Sequence, residues 1–193
     1  MTTFFKSLCI ALPLTLIGCG SDSSDSPHPI EGRWQTGCEI DDEDNSSFQT
    51  VTEIKDGRIK SVSTSFSDIA CMSATIESAS TITLQITGET TLADGEKAYR
   101  AVTQLASLTM KLLTQAQADF YNEYSVCGKE DWQVGVAQDV TICPDSEIET
   151  STGKSIFRVV DNRLYGASDD EDAPLSEDGY PIELDLDNYL TRI

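Results

Sequence analysis

Thr81-Ile82-Thr83-Leu84-Gln85-Ile86-Thr87 places Ile82, Leu84 and Ile86 on one face and only polar side chains on the other. A strict period of two over seven residues is the signature of a strand buried on one side. The same alternation runs through Ala70, Met72, Ala74 and Ile76, with Cys71, Ser73 and Thr75 between them. Upstream, Thr50 to Lys55 and Arg58 to Phe66 flank Asp56-Gly57, a pair suited to a two-residue hairpin turn. Downstream, Ala93-Asp94-Gly95 precedes a run from Lys97 to Leu105, and Asp161-Asn162-Arg163 separates Ser155–Val160 from Leu164–Ala167. Trp132–Val136 and Val140–Cys143 complete a predicted set of about eight to ten short strands.

One segment breaks the pattern. Thr114 followed by Gln-Ala-Gln-Ala-Asp-Phe-Tyr-Asn-Glu-Tyr predicts a helix with Thr114 as N-cap and Gly128 soon after its end. Ala116, Phe120 and Tyr124 stand four apart and are expected to face the sheet. Closely spaced antiparallel strands with a single short helix predict a mainly β protein, an antiparallel barrel of about eight strands. Closure leaves no sheet edge exposed, and Ile82, Leu84, Ile86 and Val102 are the expected lining. No repeat period of a propeller or solenoid occurs.

The N-terminus sets an address. Met1 to Ser7 carries one cation, Lys6, and no acid, and Leu8 to Gly18 is apolar except for Pro13 and Thr15. That run is too short for a membrane-spanning helix, which needs about 20 apolar residues, and matches the hydrophobic region of a secretory signal. It ends in Leu16-Ile17-Gly18-Cys19, which resembles a bacterial lipobox. The resemblance implies a signal peptide over 1–18 and acylation of Cys19 with palmitate-type chains, making Cys19 the first residue of the mature protein. It also implies outer-membrane sorting, since Gly20 rather than Asp follows the cysteine.

Cleavage there leaves 175 of the 193 residues, with 12 basic and 33 acidic side chains and a net charge of −21. That surface repels nucleic-acid phosphates, which excludes a DNA- or RNA-binding role. Residues 19–29 contain GSDSSDSPHP after the cysteine, a polar, turn-rich stretch expected to act as a flexible tether, with the folded domain over 30–193.

With Cys9 in the signal and Cys19 acylated, Cys38, Cys71, Cys127 and Cys143 remain. An even number in an exported chain predicts two disulfides. Of the three pairings, Cys38–Cys71 and Cys127–Cys143 join neighbouring segments, each contributing roughly 3–4 kcal/mol by loop entropy. A zinc site is disfavoured because the chain has no C-x2-C pair.

Gly32-Arg33-Trp34 in the first strand resembles the G-x-W signature of lipocalins and related calycins. Trp34 to Cys38, Phe66 to Cys71, Trp132 before Cys143, and Asn162-Arg163-Leu164-Tyr165-Gly166 extend the likeness over most of residues 30–193. Read together, these segments are similar to small, uncharacterised lipocalin-like lipoproteins of marine Gram-negative bacteria. The resemblance implies an eight-stranded up-and-down barrel closed at its base by Trp34 under an arginine, either Arg192 or Arg158. The helix departs from the family pattern, lying before the last strands instead of after them.

Catalytic chemistry is not encoded in any local motif. The sole histidine, His28, lies in the tether, so no Ser-His-Asp or Cys-His arrangement has its base in the folded domain. Nucleophile-elbow, phosphate-loop, dinucleotide, zinc-protease and C-x-x-C patterns are missing from the sequence. Two acid clusters, Asp41 to Asp44 and Asp169 to Asp172, offer hard oxygen ligands of the kind calcium takes, with Asp41, Glu43, Asp169 and Asp170 as weak candidates. The first lacks the glycine and twelfth-position glutamate of an EF-hand loop and neither fits the RTX nonapeptide, so no cofactor is expected. The expected protein is a binding module, not an enzyme: lipid-anchored, facing the periplasm, and taking a small apolar ligand. The alternative is an envelope interaction lipoprotein with a packed barrel and cation-binding acidic loops.

Overall fold

Alternating side chains and left-handed turn residues fold this chain into a closed barrel. The computed structural model describes residues 27–144, 152–168, 170 and 172–193. Its strands are β1 (Gly32–Gln35), β2 (Glu39–Asp41), β3 (Ser46–Lys55), β4 (Arg58–Phe66), β5 (Ala74–Thr91), β6 (Lys97–Leu112), β7 (Ala137–Asp139), β8 (Thr152–Val160), β9 (Arg163–Ala167) and β10 (Leu184–Arg192). Hydrogen bonding runs β1-β10-β9-β8-β6-β5-β4-β3 and returns from β3 to β1, so eight strands close an antiparallel, up-and-down barrel. β2 continues along the edge of β3 beyond β1, and β7 along the edge of β6 beyond β8. These two strands lie outside the ring, on a flap formed where β3 to β6 outrun their neighbours.

Turn chemistry matches the sequence. Asp56 and Gly57 (φ 51° and 69°) and Asp161 and Asn162 (φ 50° and 62°) are left-handed pairs, the conformation whose twist suits a two-residue hairpin. Two register shifts mark the β5–β6 pair, one on either side of Ile82–Ile86. Such bulges bend a sheet enough to let it close.

The interior core consists of Ile30, Trp34, Ile54, Ile59, Leu84, Ala101 and Leu164, with Ile82, Ile86, Tyr99, Phe157, Val159 and Leu190 packed against them. Val102 does not line it. Paired with Gln85 and Lys154, it takes the face opposite Ala101. A second cluster, Leu92, Ala98, Ile156 and Leu184, lies on the outer wall. The β9–β10 connection crosses that wall and is pinned by Tyr180. Its ring lies between Arg100 (5.0 Å) and Lys154 (5.2 Å), and its hydroxyl is 3.0 Å from Thr87 Oγ1.

Several local expectations need correction. The strand expected to include Ala70 and Met72 begins only at Ala74. Asp68 instead accepts the N–H groups of Ala70 (2.8 Å), Met72 (3.2 Å) and Ser73 (2.6 Å), which holds 68–73 in a loop. Trp132–Val136 and Val140–Cys143 are not strands, and the short β7 lies between them.

The helix α1 (Gln115–Glu123) forms as expected, with Thr114 Oγ1 accepting the Gln117 N–H. It presents a different face, however: Phe120 and Tyr124 are 52% and 63% exposed, while Ala118 is buried. Asn122 sets this rotation. Its amide donates to Trp132 O (3.0 Å) and accepts from Trp132 N (2.7 Å). Tyr121 then meets the Trp132 ring edge-on at 5.3 Å. Leu112, Ala118, Trp132 and Val140 form a third core beneath the helix.

Both disulfides join the expected partners, Cys38–Cys71 across 33 residues and Cys127–Cys143 across 16. They fasten the loop after β4 and the segment after α1. Non-reducing peptide mapping of the purified protein is expected to return these two cross-linked pairs. A Cys38–Cys127 or Cys38–Cys143 peptide would contradict the pairing.

Candidate functional site

Trp34 seals one end of the barrel and is fully buried. Its Nε1 donates to Ile30 O at 2.9 Å, which satisfies the one polar atom of a large apolar ring. The Arg192 guanidinium carbon lies 4.2 Å from the ring centroid, and its nitrogens donate to Glu31 O (3.1 Å) and Pro29 O (2.7 Å). Arg192 is therefore the arginine over the tryptophan. Arg158 pairs with Glu96 (3.1 Å) and Asp94 (3.8 Å) on the outer wall.

The glycine of Gly32-Arg33-Trp34 has a physical cause. At φ +141°, a Cβ on residue 32 would come within 2.8 Å of Arg192 Nη1. Any side chain there would displace the arginine from the tryptophan. His28, placed by sequence in the tether, packs edge-on against Tyr99 with centroids 4.4 Å apart. The packed chain thus includes residues just before Ile30.

From the level of Trp34 onward the inner face changes character on β3 to β5. The cross-strand row Thr52, Ser61, Ser80 and Leu108 and the next row, Thr50, Ser63, Ser78 and Met110, share the face of Trp34. Thr50 Oγ1 donates to Ser63 Oγ (3.1 Å), and Thr52 and Ser61 hydroxyls are 2.9 Å apart. Five of the six hydroxyl residues are half-buried, and Thr52 is buried. A hydroxyl band therefore separates the barrel core from the core under α1. Its hydroxyls can donate and accept hydrogen bonds, whereas the base is filled by apolar side chains. The alternation of Ser and Thr in Lys60–Phe66 and Glu77–Thr81 is the sequence signal for this band.

Acidic groups lie in turns. Asp41 accepts the Glu43 N–H at 3.0 Å and Asp170 the Asp172 N–H at 2.9 Å, both exposed. Asp169 lies outside the described residues, as does Cys19. Among the described residues, no group of three or more His, Cys, Asp or Glu could hold a metal ion. Hydrogen bonding from Ser73 holds the Asp68 carboxyl below its ordinary range. Asp178 is lowered by Ser176 and by the Arg100 and Lys154 cations. These shifts reflect loop fastening by exposed carboxylates. Asn122 and Tyr180 are positioning residues that the sequence pattern leaves unassigned, and Arg192, one of the two arginines it offers, is the one over Trp34; Tyr180 and Arg192 act across 93 and 163 residues, Asn122 across ten. No protein-family model matches this chain, and no curated protein matches it.

Proposed function

We propose that this chain is a lipid-anchored binding module of a bacterial envelope, acylated at Cys19 and held at the outer membrane with its barrel in the periplasm. The observation that carries this reading is the combination of two disulfides with a closed barrel whose packed chain begins at His28, nine residues after Cys19. Disulfides of this kind persist in oxidising compartments. Small barrels of about eight strands hold either their own side chains or one small ligand. Here the base is filled by apolar side chains, which favours a guest whose polar atoms meet the hydroxyl band, beside Leu108 and Met110 where they pack on the core under α1. Native mass spectrometry of the protein extracted from its own membrane tests this, with a retained small molecule as the expected result. Only apo mass, together with unchanged melting in extracts of envelope lipid, would reject ligand carriage.

A second reading, an envelope interaction lipoprotein, is favoured by apolar side chains exposed around the flap: Ile40, Met72, Phe120, Tyr124 and Ile142. Its cation-binding variant is tested by calcium. A built site would raise the melting temperature by mass action, with magnesium doing so less. The expected result is a small shift, equal for the two ions, from screening of a chain with net charge −20. A large calcium-selective shift would establish a site in the acidic loops.

A further inference from the structure

Charge is unevenly placed on this acidic protein, and its basic side lies where the tether enters the fold. Pro27 shares a shallow hollow with Arg33 and Lys55 at the base of the barrel. On the outer wall, Arg33, Glu53 and Lys60 form one cross-strand row, and Lys55 and Arg58 form the next. All four cations are exposed, and none belongs to an ion pair among the described residues. Lys97, Arg100, Lys111 and Arg158, by contrast, are each paired with acids. The wall and its hollow hold these four cations against Glu31, Glu53 and Asp56 in a chain of net charge −20. At the other end of β3, the Asp41 to Asp44 turn lies about 30 Å away, the length of ten strand residues.

We infer that the β1–β3–β4 wall rests on the anionic phospholipid headgroups of the bilayer that holds the anchor, with the acidic flap directed away. This rests on the acylation of Cys19. Pro27 is eight positions after Cys19, so the edge of the wall beside Pro27 stays within about 29 Å of the anchored cysteine however the tether runs. Exposed charges act over a Debye length of about 8 Å at physiological salt. Within that range the four free cations are attracted to lipid phosphates while the rest of the surface is repelled. The lipid supplies proximity, and the charge distribution selects which side faces the bilayer.

The test uses the full acylated protein reconstituted on vesicles of phosphatidylcholine alone or mixed with phosphatidylglycerol. Amine acetylation is followed residue by residue by mass spectrometry. Lys55 and Lys60 are expected to react about fivefold more slowly on the anionic vesicles, the factor equal to about 1 kcal/mol per basic side chain at such a surface. Lys129, beyond α1, is expected to react at one rate on both, and high salt is expected to abolish the difference. The double variant Arg58→Glu/Lys60→Glu, altered only at exposed positions, should float with the vesicles but lose protection of Lys55. Equal labelling of Lys55 on both vesicles with normal flotation overturns the orientation and leaves the anchor standing. Failure to float with neutral vesicles overturns the anchor and the orientation together.

Discussion

Replacing Trp34 with alanine is expected to lower stability by about 3–5 kcal/mol, a large part of what a single domain has. The indole is fully buried in the barrel core among Ile30, Ile54, Ile59 and Leu164. Truncation leaves a cavity that the closed ring of strands cannot collapse to fill. It also leaves Ile30 O without its donor and Arg192 without the ring beneath it. Trp34→Phe retains most of the apolar volume and the aromatic face. Its expected loss is smaller, with the missing Nε1–H donor contributing about 1–3 kcal/mol. Thermal or urea unfolding of the two variants checks the order. A Trp34→Ala curve that overlays the parent would place the ring at the surface, where truncation changes stability by less than about 0.5 kcal/mol. Any ligand held on the row Thr50, Ser63 and Ser78 should still bind to the folded fraction, because that row lies one step farther along the sheet than Thr52, the cross-strand partner of Trp34.

The parts of this fold legible in sequence are those set within a few residues. Asp56-Gly57 and Asp161-Asn162 determine hairpins through their own left-handed backbone. Ile82, Leu84 and Ile86 reveal the inner face through a period that no tertiary contact needs to enforce. What the pattern does not show depends on which hydrogen bonds particular polar side chains make, and on contacts made only when the barrel closes. Ala70 and Met72 continue a strand-like alternation, yet the Asp68 carboxylate collects three nearby N–H groups and offers the backbone a loop instead. The apolar trio Ala116, Phe120 and Tyr124 suggested one face of α1, but the double hydrogen bond between Asn122 and Trp132 turns another toward the core. Val102 was misplaced for a different reason. The β5–β6 bulges change which residues oppose one another, and the shift is invisible in either strand alone. The Arg192–Trp34 contact joins the two ends of the domain, so sequence could offer two arginines while only the closed ring selects one.

Substituting Cys19 with alanine is expected to move the protein from the membrane fraction to the soluble periplasmic fraction. Each buried methylene of an acyl chain contributes about 0.8 kcal/mol, so two or more long chains hold a protein firmly, whereas a single chain is only marginal. Among the described residues no helix is long and apolar enough to cross a membrane. The four free cations of the β1–β3–β4 wall are set against a net charge of −20. They orient a domain already held at the surface, but the repulsion of the remaining acids prevents them from retaining one that is free. The variant should therefore leave the membrane even at low salt, where attraction to anionic lipid is strongest. Fractionation with mass measurement of the mature N-terminus checks both halves, the release and the loss of the acyl mass. Membrane retention of Cys19→Ala in protein whose mass shows residues 1–18 removed would mean that the domain binds the envelope through a protein partner, and the exposed apolar side chains of the flap would be the first surface to mutate.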